Sequence, residues 1–156
     1  MCKTQYYKIK PEVSGNIIMK STIDRTTEPV KVTNLVYTFD GWLGDDIVSS
    51  IGYYIVTEKL KQHLEAFSGS GYVFDKVRIV KSTEFKSIIS ERPDAFPSLP
   101  KFHWLKITGI GGREDFGRLD PIVQTGLVVS EAALKILELC QFTHGRVEPV
   151  HLSEAL

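Results

Sequence analysis

The most constraining feature of this sequence is a series of local signals that occurs twice, 73 residues apart. In each copy a β-prone apolar run ends at a hydroxyl residue, Thr57 or Ser130, which a glutamate follows directly. A hydroxyl there is a typical helix N-cap, and the glutamate meets the positive end of the helix dipole. Leucines then recur at helical spacing, with Leu64 equivalent to Leu137, and a second β-prone run follows. The sequence therefore predicts two strand–helix–strand units, whether they arose by duplication or only share a common pattern.

Other alternating runs predict the strands that surround these units. In residues 30–39 and 101–108, apolar or aromatic residues recur at every second position, which fits one face of a β-strand. Phe102 and Trp104, for example, share a face. Residues 72–80 predict one more strand. The predicted fold class is α+β, a mixed or antiparallel sheet with two main helices and a strand–helix–strand unit that is repeated.

The chain length of 156 residues suits a single domain. Residues 1–40 predict an N-terminal β extension, in which residues 6–9 and 16–19 form a hairpin or two edge strands. Residues 41–152 predict the main body of the domain. The interval 47–51 fits either a short strand or a single helical turn, and both alternatives stay open.

Composition excludes several classes of function. Nineteen basic and nineteen acidic residues cancel, so bulk charge predicts neither a nucleic-acid partner nor a membrane partner. A local charged patch is still compatible with a net charge of zero. The two cysteines, Cys2 and Cys140, have no CxxC-type spacing, which argues against a disulfide framework or a zinc site. The start of the chain lacks the apolar segment of a secretory signal, and no run is long enough to span a membrane. We therefore expect a cytoplasmic protein that uses no cofactor.

Two motifs that suggest phosphate chemistry lack the residues that this chemistry requires. Asp115-Phe116-Gly117 spells a kinase tripeptide, but the chain is too short for a kinase and lacks its other signatures. The glycine-rich residues 109–112 follow a predicted strand but lack the Lys-Ser/Thr pair of a phosphate loop. They predict a flexible turn that exposes Arg113 and Asp115 to a partner.

The acidic turn at residues 40–46 allows two interpretations. Trp42 can fold back onto the core and leave a solvated turn, or it can project outward among Asp40, Asp45 and Asp46. In the second case the tryptophan becomes an anchor of the kind enriched at binding hot spots. The spacing of the carboxylates does not fit an EF-hand calcium loop. The predicted partner-binding residues are thus Asp40, Trp42, Asp45, Asp46, Arg113 and Asp115.

Several segments together resemble the small immunity proteins of bacterial polymorphic toxin systems, a group that includes domains formerly described only as domains of unknown function. The resemblance covers about residues 40–150 and lies in residues 44–48, 55–60, 71–77, 99–105, 115–117 and 127–133. It implies a cytoplasmic, non-catalytic protein that binds and neutralises a cognate toxin. The zero net charge argues against a nuclease as the toxin, because inhibitors of nucleases are often acidic.

The competing hypothesis is a small enzyme or ligand-binding domain. It predicts a concave site with converging polar groups near His103, Arg113 and Asp115. Cys140 is a weak candidate for a nucleophile, because it occupies the apolar stripe of the second predicted helix. The two hypotheses differ in whether these polar residues meet.

Overall fold

The computed structural model describes residues 5–17, 22–24, 31–50, 52–120 and 125–150, and every structural statement below refers to them. The predicted end of the last strand, at residues 151 and 152, lies outside these ranges. The fold is α+β with mixed and antiparallel sheets, as predicted. Its elements are β1 (Tyr6–Lys10), β2 (Gly15–Ile17), β3 (Thr22–Asp24), β4 (Lys31–Phe39), β5 (Ile47–Ser50), β6 (Tyr53–Thr57), α1 (Glu58–Phe67), β7 (Tyr72–Asp75), β8 (Val77–Lys81), α2 (Thr83–Glu91), β9 (Phe102–Ile107), β10 (Phe116–Asp120), β11 (Thr125–Ser130), α3 (Glu131–Leu139) and β12 (Arg146–Val150).

Two segments of the chain fold into equivalent units, β5–β6–α1–β7 and β10–β11–α3–β12. Each unit supplies three strands of a four-stranded antiparallel sheet, with strand orders β5-β6-β9-β7 and β10-β11-β1-β12. In the pairings with β9 and β1 the registers also agree, because Thr57 lies opposite Phe102 and Ser130, 73 residues later, lies opposite Tyr6. Phe74 lies opposite Leu105 in the first sheet, and Val147, 73 residues after Phe74, lies opposite Ile9 in the second. The repeated unit predicted from the sequence is therefore confirmed.

The third strand of each sheet comes from outside its unit. Strand β1 precedes the first unit in the chain but lies between β11 and β12 of the second, whereas β9 precedes the second unit and lies between β6 and β7 of the first. The exchange is symmetrical in detail, because the Glu58 N–H donates to the Lys101 carbonyl (2.9 Å) and the Glu131 N–H donates to the Gln5 carbonyl (3.0 Å). Each sheet is thus completed by a strand that precedes the other unit in the chain.

This exchange corrects the predicted N-terminal extension. Strand β1 is an interior strand of the main body, paired on both edges, and not an edge strand. Its Ile9 is fully buried in the core between the two sheets. A five-residue β-prone run does not reveal how many partners it will have, because pairing depends on strands more than a hundred residues away.

The central sheet, β5-β6-β9-β7, carries a hydrophobic core on each face. The first core joins it to the second sheet and to helices α1 and α3 through Leu60, Leu64, Ala133 and Leu137. The second core joins its other face to β4 and α2, and it contains Leu35, Tyr37, Phe39, Trp42, Phe85, Phe102 and Trp104. Strand β9 serves both cores because its side chains alternate between faces, as its sequence predicts.

Residues 72–80 form two strands in different sheets, whereas the sequence predicts one. The chain leaves the central sheet after Asp75 and continues as β8, which pairs in parallel with β4. Residues 47–50 are a strand, which decides between the two alternatives left open by the sequence. Helix α2 begins at an N-cap, because the Ser82 hydroxyl accepts the Phe85 N–H (3.1 Å).

Truncation of equivalent leucines in the two units tests this core. Leu64 and Leu137 are almost completely buried. We expect Leu64→Ala and Leu137→Ala each to lower the free energy of unfolding by roughly 2–5 kcal/mol, because each leaves a cavity between the helices and sheets. The measurement is chemical denaturation followed by circular dichroism.

Leu139 on α3 provides the matched control, since it is 64% exposed. Leu139→Ala should change the free energy of unfolding by no more than about 0.5 kcal/mol. Equal effects at Leu137 and Leu139 would contradict the packing of α3 described here.

Candidate functional site

Three carboxylates are buried around the acidic turn at residues 40–46, and each is used to hold backbone in place. Asp45 is the most deeply buried of them. Its Oδ1 accepts hydrogen bonds from the Thr143 N–H (3.0 Å) and hydroxyl (3.1 Å), and its Oδ2 accepts one from the His144 N–H (2.8 Å). Buried carboxylates are costly unless hydrogen-bonded, and here the donors come from a loop almost a hundred residues away. Asp45 therefore ties the turn to the loop that follows α3.

Asp46 connects the two helices. Its Oδ1 accepts a hydrogen bond from the Thr57 hydroxyl (2.6 Å), and its Oδ2 accepts one from the Gln141 N–H (2.7 Å). Thr57 is the N-cap of α1, and its oxygen also accepts the Leu60 N–H (3.3 Å). One carboxylate thus joins the start of α1 to the chain just beyond α3.

Asp115 makes the equivalent connection at the other ends of the helices. Its Oδ1 accepts from the hydroxyl of Ser130, the N-cap of α3 (2.7 Å), and its Oδ2 accepts from the Ser70 N–H just beyond α1 (3.0 Å). We refer to Asp46 and Asp115 as the aspartate clamps. Together they fix α1 and α3 in an antiparallel arrangement.

Glu12 completes the support of the turn. Its Oε2 accepts the Leu43 N–H (2.9 Å), its Oε1 accepts the Asp45 N–H (3.4 Å), and its carboxylate also binds the Ser14 hydroxyl. These bonds hold the backbone of residues 12–14 against the turn. Val13, which lies between Glu12 and Ser14, is exposed.

The result is a small exposed apolar surface in a rigid frame. Val13 is 70% exposed and Leu43 is 52% exposed, and both line a cleft of about 320 Å³. Asp40, also exposed, lines the same cleft, as does Phe96. We call Val13, Leu43 and Asp40 the turn surface. Val13 and Leu43 are two of six large apolar side chains exposed in the described residues, and these two line the same cleft.

The structure corrects the predicted role of three residues in this turn. Trp42 is buried, its indole N–H donates to the Asp45 carbonyl (2.9 Å), and its ring meets Phe102 edge-on at 5.7 Å. The interpretation in which Trp42 folds back onto the core is therefore the right one. Asp45 and Asp46, however, are not solvated, because their oxygens hold backbone donors. These three residues support the surface and do not form it.

The other predicted residues have mixed positions. Asp40 and Arg113 are exposed, so a partner-binding role for them stays a prediction. Asp115 is half-buried and acts as a clamp. The residues that sequence reasoning missed are Val13 and Leu43. Leu43 carried a usable signal, since a second large apolar side chain next to Trp42 in a short acidic turn is hard to bury.

The residues of the competing hypothesis do not meet. His103 binds Glu58 in the first turn of α1, and this hydrogen bond lowers the pKa of the glutamate. Asp115 binds Ser70 beyond the other end of the same helix. Ten residues of α-helix, about 15 Å, lie between the two ends. His103 is therefore too far from Arg113 and Asp115 to share a catalytic site.

The described part of the chain contains no group of three histidine, cysteine, aspartate or glutamate side chains that could hold a metal ion. Within the same ranges, no helix has the length and apolar character needed to cross a membrane. No protein-family model matches the chain, and no curated protein matches it.

The clamp predicts a cost for an isosteric change. In Asp46→Asn the side chain keeps one acceptor and turns an NH2 group towards a donor, either the Thr57 hydroxyl or the Gln141 N–H. We expect the free energy of unfolding to fall by about 1–3 kcal/mol, because a buried donor loses its partner. Asp40→Asn, at an exposed position in the same turn, is the control and should change stability by less than about 0.5 kcal/mol.

The position of Trp42 gives a separate prediction. Trp42→Ala should lower the free energy of unfolding by roughly 3–5 kcal/mol, because it opens a cavity against Phe102 and frees the Asp45 carbonyl. Thermal unfolding of the purified variant measures the effect. A variant with an unchanged melting temperature would show that the indole lies outside the core.

Proposed function

We propose that this protein is a non-catalytic immunity protein, which binds a cognate bacterial toxin and neutralises it by protein–protein contact. The first support is the resemblance over about residues 40–150, which includes segments of both repeated units. The resemblance implies a cytoplasmic location, and we include that location in the proposal.

The observation that carries the proposal is the rigid display of Val13 and Leu43. Both are large aliphatic residues that the fold leaves outside its two cores, although buried hydrogen bonds fix the backbone beside them. Binding a partner through such a surface costs little conformational entropy, since the loops are already ordered. The flanking Asp40 can supply a polar contact at the rim.

The use of the carboxylates also supports binding over catalysis. Glu12, Asp45 and Asp46 are the buried carboxylates of the described residues, and each accepts hydrogen bonds from groups that stabilise the fold. A general base needs a free lone pair directed at a substrate. In these three residues the hydrogen bonds serve the turn and the helix ends.

A growth assay tests the proposal. The chain is co-expressed in a sensitive bacterium with the toxin domain encoded beside its own gene, and colony formation is counted. We expect the wild-type chain to restore growth. Loss of viability despite stable expression of the wild-type chain would overturn the proposal.

Two variants locate the contact. Leu43→Glu should weaken binding to the purified toxin domain by roughly thirtyfold or more, as expected for a hot-spot residue, without changing the melting temperature. Ile110→Glu is the matched control, because Ile110 is 45% exposed and lies on the turn near the opposite end of α3. Full binding by the Leu43 variant would exclude the turn surface as the contact, and weaker binding by the Ile110 variant would place the contact at the turn that carries Arg113.

A further inference from the structure

A second surface feature arises where the chain changes sheets. Strands β7 and β9 pair as far as Asp75 and Trp104. Beyond this pair the two segments no longer pair with each other, because the chain after Asp75 continues as β8, which pairs with β4, while residues 98–101 precede β9. The opening contains two clefts, of about 560 and 650 Å³, one lined by residues 74–77 and 101–103 and the other by residues 78–81 and 98–100. We call this opening the divergence groove.

The groove runs along the edge of β8. Side chains of a strand alternate between its two faces, so a cleft lined by four consecutive residues, 78–81, must lie at the strand's edge. The opposite edge of β8 is occupied by β4, and no other strand in the described ranges pairs with β8. An unpaired strand edge presents backbone donors and acceptors that can accept a further strand.

The walls of the groove are basic. Its lysines and arginine are Lys61, Lys76, Arg78, Lys81, Lys86 and Lys101. Lys61 forms an ion pair with Glu65, whereas the other five form no ion pair in the described part of the chain. The carboxylate that lines the groove, Asp75, already binds Lys106. Asp75 also lies near Lys76, and Glu58, which binds His103, lies near Lys61 and Lys101. The cations of the groove that have no carboxylate neighbour of this kind are Arg78, Lys81 and Lys86.

Apolar side chains complete the lining. Val77 and Ile79 of β8 are partly buried against the second core, and Leu99 and Pro100 lie across the groove from them. The groove thus combines a free strand edge, apolar contacts at alternate positions and cationic rims. This combination fits an extended polypeptide in which acidic and apolar residues alternate.

We infer that the divergence groove binds an acidic, extended polypeptide segment of the partner, which adds as a strand to the free edge of β8. The free backbone edge favours polypeptide over nucleic acid, because a nucleic-acid strand cannot continue the backbone ladder. The inference rests on the proposed function for the partner's identity, a toxin protein. It assigns to that partner a segment complementary in charge to the cations that line the groove.

Binding of a defined peptide tests the inference with the full chain. The probe is the capped octapeptide (Val-Glu)4, the matched control is (Val-Lys)4, and the readout is the backbone amide spectrum of 15N-labelled protein. We expect (Val-Glu)4 to shift the amides of residues 77–81 saturably and to slow their hydrogen exchange, while (Val-Lys)4 leaves them unchanged. Absence of these shifts would overturn the inference. The cations would then serve only to prevent the exposed edge of β8 from pairing with other chains.

Two further experiments, with charge-reversal variants and with an oligonucleotide competitor, test where the peptide binds and whether the site prefers polypeptide. The double variant Lys81→Glu/Lys86→Glu should bind (Val-Glu)4 about tenfold more weakly, whereas Lys10→Glu/Lys135→Glu, two exposed lysines outside the groove, should bind it normally. The oligonucleotide dT10 should not compete with the peptide. Competition at equal affinity would show a nucleic-acid site and overturn the inference.

The inference and the proposed function can fail independently. If (Val-Glu)4 does not bind but the chain still protects cells from its toxin, the groove is excluded and the proposed function stands. If the peptide binds β8 but the chain gives no protection, the strand-docking site stands without the proposed partner.

Discussion

The rest of the structure depends on the two aspartate clamps. Asp46 and Asp115 each join the N-cap hydroxyl of one helix to the backbone just beyond the other helix. The ends of helices expose polar groups that cannot be left unpaired beside a core. By pairing both ends at once, the clamps let α1 and α3 share one apolar core between two sheets. The two repeated units are thus equivalent in their hydrogen bonds, made by Asp46 and Asp115, as well as in their strand order.

The same arrangement explains why the turn at residues 40–46 is a surface and also a structural element. Asp45 and Asp46 anchor it to the chain beyond α3, and Glu12 anchors it to the chain beyond β1. Those three contacts come from distant parts of the sequence and converge on seven residues. Leu43 lies outward, while Trp42, Asp45 and Asp46 of the same turn are buried. The hydrogen bonds of Asp45, Asp46 and Glu12 therefore account for the rigidity of the turn on which Leu43 is exposed.

Local signals made half of this fold predictable. The N-caps Thr57 and Ser130, the leucine stripes behind them and the alternation in β4 and β9 are all read within ten residues or so, and each is confirmed. The placement of β1, the division between β7 and β8 and the burial of Asp45 depend on partners far along the chain. An acidic turn looks solvated in sequence, because nothing local shows that Thr143 and His144 will supply its donors.

The balance of charge acquires a different meaning once burial is known. Three carboxylates and Arg118 are the charged residues that are buried in the described ranges, whereas six lysine and arginine residues line the divergence groove. A composition with no net charge therefore coexists with a local cluster of positive charge. Electrostatic attraction depends on the field at the surface and not on the sum over the chain. The local cluster of cations at the groove, and not the balanced composition, therefore sets the sign of charge that an acidic partner would meet there.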